Sequence, residues 1–357
     1  MYASRLNTAP SISGTLVVIV PAQRVPRAGS PYTVLMPTPA SISEDLSSAL
    51  ATLLAIGRPV SALIVAGIVA VVLAACVPAL RARLRAAVGA LLAALAIGEA
   101  VLVWFHLRLG QACLTVEPQS GRVTGSFAVP LWIESEKLYV LALLLAVIAV
   151  GVRRHGDELR PLLAGAAAAL AAAALLVGKP FTAPLPDFLA QYRGYLAAWA
   201  SGDAAAAAQA FAGIEGARRF YYNAWYMWVH PPLLFVSYAA FAASFAATVL
   251  MVVKKRSSYE QTAYRWARLG YLPLTAGMVI GMPWAIIAWR GEAWWWSGKV
   301  NMSLMMWVLY TAYLHGRLYL RRPGMWKVVA ALSIVAFVAL VLTYLTTYLV
   351  PGVHSVA

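Results

Sequence analysis

The chain has 357 residues, of which 62% are hydrophobic and 11% are charged, and its formal net charge is +15. Soluble domains carry about 25% charged residues, so this composition excludes an ordinary water-soluble domain. In so apolar a chain the positive charge is explained by Lys and Arg flanking membrane spans, and we expect no nucleic-acid partner. The two cysteines, Cys76 and Cys113, form no CxxC motif, which excludes a thiol oxidoreductase of that type.

Apolar runs close to 20 residues long recur along the chain, and each is long enough to cross the hydrocarbon core as a helix. We therefore predict an all-α fold, a polytopic membrane helix bundle with about eight transmembrane helices. The predicted spans cover residues 59–80, 86–107, 131–152, 161–178, 229–253, 269–289, 300–319 and 328–350.

The spans divide the chain into four predicted regions. These are a polar N-terminal tail over 1–58, a four-helix membrane region over 59–178, an extracytoplasmic loop over 179–228 and a C-terminal membrane region over 229–357. The tail contains no ordinary signal peptide. Translocation of so long a tail without a signal is unusual. A biological start that lies downstream of Met1 is therefore an alternative. The Ala-rich stretch 202–212 within the loop predicts a short surface helix.

Basic residues sort the connections between spans into two sets. The connections after the first, third, fifth and seventh spans are short and dense in Lys and Arg, whereas those on the other side are longer and mix bases with acids. By the positive-inside rule the dense side is cytoplasmic. We therefore predict a multi-pass protein of the inner (cytoplasmic) membrane, with its functional loops on the extracytoplasmic side.

Two of the five histidines fall at predicted outer ends of spans. His230 opens the fifth span and His354 follows the eighth. Imidazole is a common axial ligand of haem iron; the competing interpretation is an interfacial histidine that bonds to a loop. His315 lies deep, toward the cytoplasmic end of the seventh span, and is either a functional intramembrane group or a histidine that reaches the interface beside Arg317. For His106 we favour a structural role.

Tryptophans are concentrated at the same predicted outer face. Those concerned are Trp225, Trp228, Trp284, Trp289, Trp294, Trp295 and Trp296. An interfacial aromatic belt is the simpler interpretation. Three consecutive tryptophans in a short loop nevertheless offer a flat apolar surface that suits a porphyrin. Beside them, the cations Lys299 and Arg290 are placed to pair with its propionates.

Three acidic residues fall within or beside predicted spans. They are Glu99, Glu134 and Glu136. A carboxyl group there is protonated, paired with a histidine, or part of a polar cavity, and the sequence leaves these alternatives open. Motifs for phosphate or zinc binding of the GxxxxGK[ST] and HExxH types are absent from the sequence.

Three stretches together resemble the haem-handling superfamily of cytochrome c biogenesis. WVHPPLLFVSYAAF is similar to its HPP-type segment, the run from Trp284 to Arg317 resembles its tryptophan-rich WWD domain, and YLVPGVHSVA resembles its terminal segment. They occur in the family's order, whereas residues 1–178 match only in general topology. Chain length and span count resemble the CcsA/ResC type of the two-component synthase more than the longer CcmF type or the shorter CcmC type.

The resemblance implies a set of haem-binding residues. His230 and His354 match two outer histidines that ligate the iron of haem b (iron protoporphyrin IX), and His315 matches a membrane histidine that could hold a second haem with a histidine from another subunit. The remaining residues of the implied surface are Trp289, Trp294, Trp295, Trp296 and Lys299.

This chain departs from the WWD pattern at its most recognisable dipeptide. Ser297 stands where the family has Asp, and Gly298 stands where it has Pro. Arg290 is an insertion, and Val300 replaces an acid. These changes leave the tryptophans and both outer histidines in place, and they bear on the hydrogen bonds that the Asp would make.

The implied function is presentation of haem at the outer membrane surface for thioether attachment to the CxxCH motif of apocytochrome c, as a subunit of a cytochrome c synthase (haem lyase). The chain has no CxxCH of its own, so it attaches no haem to itself. The implied partners are a CcsB/ResB-like membrane subunit and a thiol-reducing thioredoxin-like protein. The alternatives are a haem exporter that serves a chaperone, a b-type electron carrier, and a structural subunit that binds no haem.

Overall fold

The computed structural model describes residues 36–288 and 294–350. These residues form ten α-helices and one antiparallel hairpin, in which Leu114 pairs with Ser126. The helices are α1 (Pro39–Cys76), α2 (Leu84–Ala112), α3 (Lys137–Gly151), α4 (Gly156–Ala173), α5 (Pro186–Ala200), α6 (Ala204–Ala217), α7 (His230–Lys254), α8 (Glu260–Ala288), α9 (Gly298–Gly316) and α10 (Met325–Leu349), and the strands are β1 (Leu114–Val116) and β2 (Val123–Ser126).

The predicted all-α membrane bundle is confirmed. Each predicted span overlaps one helix, and α5 and α6 lie in the long loop between the fourth and fifth spans. Six helices in the described part of the chain, α1, α2, α4, α7, α8 and α10, are long and apolar enough to cross a membrane. Of the other two, α3 has only 15 residues, and α9 carries polar residues in its first two turns, such as Lys299 and Asn301.

The first helix begins at Pro39, whereas residues 39–58 are predicted from the sequence to be part of a polar tail. Thr38 and Ser41 form a capping box at its start, and Pro39 occupies a first-turn position where a missing N–H costs nothing. Leu46 and Leu53 are buried on one face of the added segment. Its polar residues cover the opposite face, so the segment is an amphipathic helix rather than a tail.

A small layer of structure covers one end of the bundle. Tyr192 of α5 donates a hydrogen bond to the carbonyl of Leu114 at 2.9 Å, and the hydroxyl of Tyr195 accepts one from the backbone N–H of Val116 at 2.9 Å. The hairpin is thereby fixed to α5. Helix α6 confirms the predicted surface helix, although it is longer than expected.

The basic connections lie together at the opposite end. Lys254 at the end of α7 forms an ion pair with Glu158 of α4. At the end of α9, Arg317 pairs with Glu260 of α8 at 2.5 Å. The grouping of basic connections expected from the sequence is therefore present in the fold.

A buried histidine–carboxylate pair fixes the segment that leads into α3. His106 of α2 donates from Nδ1 to the carbonyl of Val129 at 2.7 Å, and its Nε2 lies 2.8 and 2.9 Å from the two oxygens of Glu136. Glu136 is fully buried and His106 is 7% exposed. Of the alternatives left open for Glu136, pairing with a histidine is the one observed. Glu134 instead accepts hydrogen bonds from the first-turn amides of Asp187 and Phe188 in α5.

We expect Glu136→Ala to lower the free energy of unfolding by about 3 kcal/mol, because removing one partner leaves the other polar group buried without compensation. Denaturant-induced unfolding in detergent micelles measures the change. Glu44→Ala, at an exposed position of α1, is the matched control and should change stability little. Equal stability of the two variants would show that the pair contributes nothing.

Glu215 at the end of α6 should give stability a measurable pH dependence. Hydrogen bonds from Arg218 at 2.6 Å and Arg219 at 2.5 Å hold the pKa of this carboxyl below its usual range. The stabilisation is present above the unfolded pKa of about 4.3 and is lost as the pH falls through the lower folded pKa. The stability difference between wild type and Glu215→Gln should shrink as the pH is lowered from about 6 to about 3. A difference that stays constant over this range would contradict the assignment.

Candidate functional site

His230 is the first residue of α7, and its ring is fixed by the neighbouring helix α8. Its Nδ1 lies 2.7 Å from the carbonyl oxygen of Gly277. Because a carbonyl only accepts, Nδ1 must carry the proton and donate. The neutral ring therefore has its lone pair on Nε2, the arrangement typical of metal-ligating histidines. Among the described residues, Nε2 has no hydrogen-bond partner.

Residues Trp294–Trp296 form a short 3-10 helix, here named the Trp turn, between α8 and α9. Trp294 is buried and packs edge-on against Trp295, with ring centroids 5.6 Å apart. Trp295 and Trp296 are 52% and 74% exposed. The first ring therefore anchors the turn, and the other two present flat apolar surfaces outward.

Ser297 caps the N-terminus of α9. Its side-chain oxygen accepts a hydrogen bond from the backbone N–H of Val300 at 3.4 Å, and Asn301 donates to the carbonyl of Trp296 at 3.1 Å. Ser and Asp are equally good residues at this position of a helix. Ser297 therefore supplies the same kind of capping oxygen that an Asp would supply at this position.

Gly298 allows the end of α10 to approach the start of α9. A Cβ at this glycine would lie 3.1 Å from Cγ1 of Val350, tighter than most side-chain contacts. His354 follows Val350 by four residues and lies outside the described residues, as do Trp289 and Arg290. Four extended residues reach at most about 14 Å, so the chain that carries His354 starts beside the Trp turn.

Lys299 is the second residue of α9 and is half-buried. Its positive charge acts electrostatically on His230 and on Lys137 at the start of α3. Trp284, near the end of α8, stacks obliquely on Tyr226 at 4.7 Å and thereby joins α8 to the segment that precedes α7. His230, Lys299 and the Trp turn thus share one end of the bundle.

His315 lies at the other end of α9 and is not brought to this group. It is sixteen residues from Lys299, about 24 Å along a helix. Its Nδ1 bonds to the carbonyl of Thr311 at 2.8 Å, and its side chain is exposed on the outside of the bundle. A residue that shared an iron atom with His315 would have to approach from outside the described fold.

Gly277 is not among the site residues predicted from the sequence, although its carbonyl fixes the His230 ring. The signal available in the sequence is the Gly-x-x-x-Gly spacing of Gly277 and Gly281, which indicates close approach of a neighbouring helix in a membrane. That pattern predicts proximity, but it does not say which side chain comes close.

Comparison with known proteins identifies the family. The cytochrome C assembly protein family matches residues 131–354, which is more than half of the chain. The biogenesis protein NrfE of Haemophilus influenzae is 32% identical over 135 residues, covering 36% of this chain and 21% of that protein. CcsA of Gloeobacter violaceus is 35% identical over 119 residues, covering 32% of this chain and 33% of that protein.

A solved structure of the cytochrome c heme lyase CcmF aligns with a TM-score of 0.49 at 18% identity, covering 89% of this chain and 49% of that one. The matched segment spans only a fifth to a third of the length of the curated relatives named above. The resemblance read from the three sequence stretches is confirmed at the level of the family. With residues 131–354 matched by the family pattern, this chain belongs to the cytochrome c assembly protein family.

Proposed function

We propose that this chain binds haem b (iron protoporphyrin IX) at the Trp turn and presents it for thioether attachment to the CxxCH motif of apocytochrome c. In this proposal His230 and His354 are the axial ligands of the iron. The observation that carries it is the hydrogen bond from His230 to Gly277, because it leaves Nε2 available to a metal. Membership of the cytochrome c assembly family, and relatives named as cytochrome c biogenesis proteins, support the same process.

The residues around His230 suit a haem molecule in their chemistry. The exposed rings of Trp295 and Trp296 offer apolar area to a porphyrin. Lys299 supplies a cation for a propionate group. The segment that carries His354 starts beside Gly298, so a second imidazole is within reach of the same end of the bundle.

The chain's own contribution to the reaction is positional. Haem supplies two vinyl groups, and each CxxCH thiol adds across one of them, with the sulfur on one carbon and the hydrogen on the other. His230, His354 and the exposed tryptophan rings would hold the haem in one orientation, which would replace a bimolecular encounter by an oriented one. The chain needs no acid or base of its own for this role.

The proposal includes partners and a place in the cell. The thiols must arrive reduced, which requires a thioredoxin-like protein. A CcsB/ResB-like membrane subunit would complete the synthase, and a histidine from that subunit would pair with the outward-facing His315 around a second haem. We place the chain in the inner membrane with the Trp turn on the extracytoplasmic side, because the basic connections lie at the other end of the bundle.

The axial ligands can be tested by the absorption spectrum of the purified protein supplied with haem. We expect a bis-histidine, b-type spectrum in the wild type and its loss or shift in both His230→Ala and His354→Ala. His155→Ala is the matched control, because His155 lies at the opposite end of the bundle and bonds to Ser258. An unchanged spectrum in either outer variant would remove that residue from the proposed ligand pair.

The thioether step needs a separate experiment. The haem-loaded chain is combined with its membrane partner and a reduced CxxCH peptide, and the peptide is then analysed by mass spectrometry. We expect the peptide to gain the mass of haem through bonds that survive denaturation. Transfer of haem without a covalent bond would instead identify an exporter that serves a chaperone.

A further inference from the structure

The imidazole of His230 lies directly against the backbone of α8 at Gly281. A Cβ built on Gly281 would lie 2.7 Å from Cε1 of that ring and 2.8 Å from Nδ1, but 3.5 Å from Nε2. Side-chain Cβ atoms essentially never come within 3.0 Å of a heavy atom from elsewhere in the fold. The ring can therefore occupy this place only because residue 281 has no side chain.

Two contacts, one helical turn apart on the same face of α8, fix the orientation of the ring. Gly277 accepts the hydrogen bond from Nδ1 at 2.7 Å, and Gly281 accommodates the edge formed by Nδ1 and Cε1. Of the three ring atoms near Gly281, Nε2 lies farthest from the position that a Cβ would take. Both contacts therefore act on the same edge and leave the same nitrogen available.

We propose that Gly281 is a positioning residue that, together with the carbonyl of Gly277, seats the His230 ring so that Nε2 is the atom offered to iron. The contacts of Gly277 and Gly281 with the His230 ring, here named the seat, are a property of the haem-free protein. Its consequence for haem affinity rests on the function proposed above, and the two parts can be measured separately.

A methyl group at residue 281 removes the seat while residue 230 itself remains a histidine. In Gly281→Ala the ring has to swing away from α8, because the atoms that block the new Cβ belong to the ring edge itself. The hydrogen bond to Gly277 is then lost, and the proton is free to distribute between the two ring nitrogens. Loss of such an outer-shell partner lowers metal affinity roughly 10- to 100-fold.

Gly165→Ala is the matched control. It makes the same substitution inside another long apolar helix, α4, at a position where a Cβ would meet no atom within 4 Å. Both variants replace Gly by Ala in a helix interior, so their effects on helix propensity are equal.

The first measurement is nitrogen-15 NMR of the histidine rings in the haem-free protein in detergent. The chain has five histidines, and a His230→Gln variant assigns the signals of His230. We expect a neutral ring with the proton on Nδ1 in the wild type and in Gly165→Ala, and a mixture of tautomers in Gly281→Ala. Unchanged signals from the other four histidines would show that Gly281→Ala is folded.

The second measurement is a haem titration of the same three proteins. We expect Gly281→Ala to bind at least about tenfold more weakly than the wild type, and Gly165→Ala to bind normally. A wild-type His230 with its proton on Nε2 overturns the seat even if Gly281→Ala does not fold. Unchanged haem affinity in a folded Gly281→Ala overturns the consequence for haem binding. If the NMR results are as expected but the wild type binds no haem, the proposed function fails and the seat stands.

Discussion

The hydrogen bond between His230 Nδ1 and the carbonyl of Gly277 is the constraint on which the candidate site depends. It joins α7 to α8 at the end of the bundle that carries the Trp turn, and it decides which ring nitrogen has a lone pair to give. A carbonyl at this place can only accept, so the orientation of the ring does not depend on any titratable neighbour. A histidine held in this way has the tautomer that metal-ligating histidines use.

The start of α9 connects this histidine to the rest of the site. Ser297 caps the helix, Trp294 anchors the preceding turn, and Gly298 lets the end of α10 come close. Each of these roles is local, yet together they bring the exposed tryptophans and the chain that leads to His354 to one place. Ser297 and Gly298 therefore both fit the local geometry, since the Ser caps the helix and the Gly allows the contact with Val350.

Much of this architecture could be predicted from the sequence, because hydrocarbon admits few backbone structures and the apolar runs are long. The placement of His230 and the Trp turn at one end of the bundle followed from the same pattern. The start of α1 could not be predicted in this way, since an amphipathic helix beside polar caps has the composition of a tail. The pairing of His106 with Glu136 and the contact of His230 with Gly281 could not be predicted either, because both depend on the relative rotation of two helices, which hydropathy does not encode.

The most direct test of iron ligation by His230 is chemical rescue in the haem-loaded His230→Gly variant. Removing the imidazole leaves a space above Gly281 that free imidazole can enter. We expect electron paramagnetic resonance to show low-spin iron in the wild type, high-spin iron in the variant, and a return to low spin as imidazole is added. Iron that stays low-spin in His230→Gly without imidazole would contradict the account, because another residue would then hold that axial position.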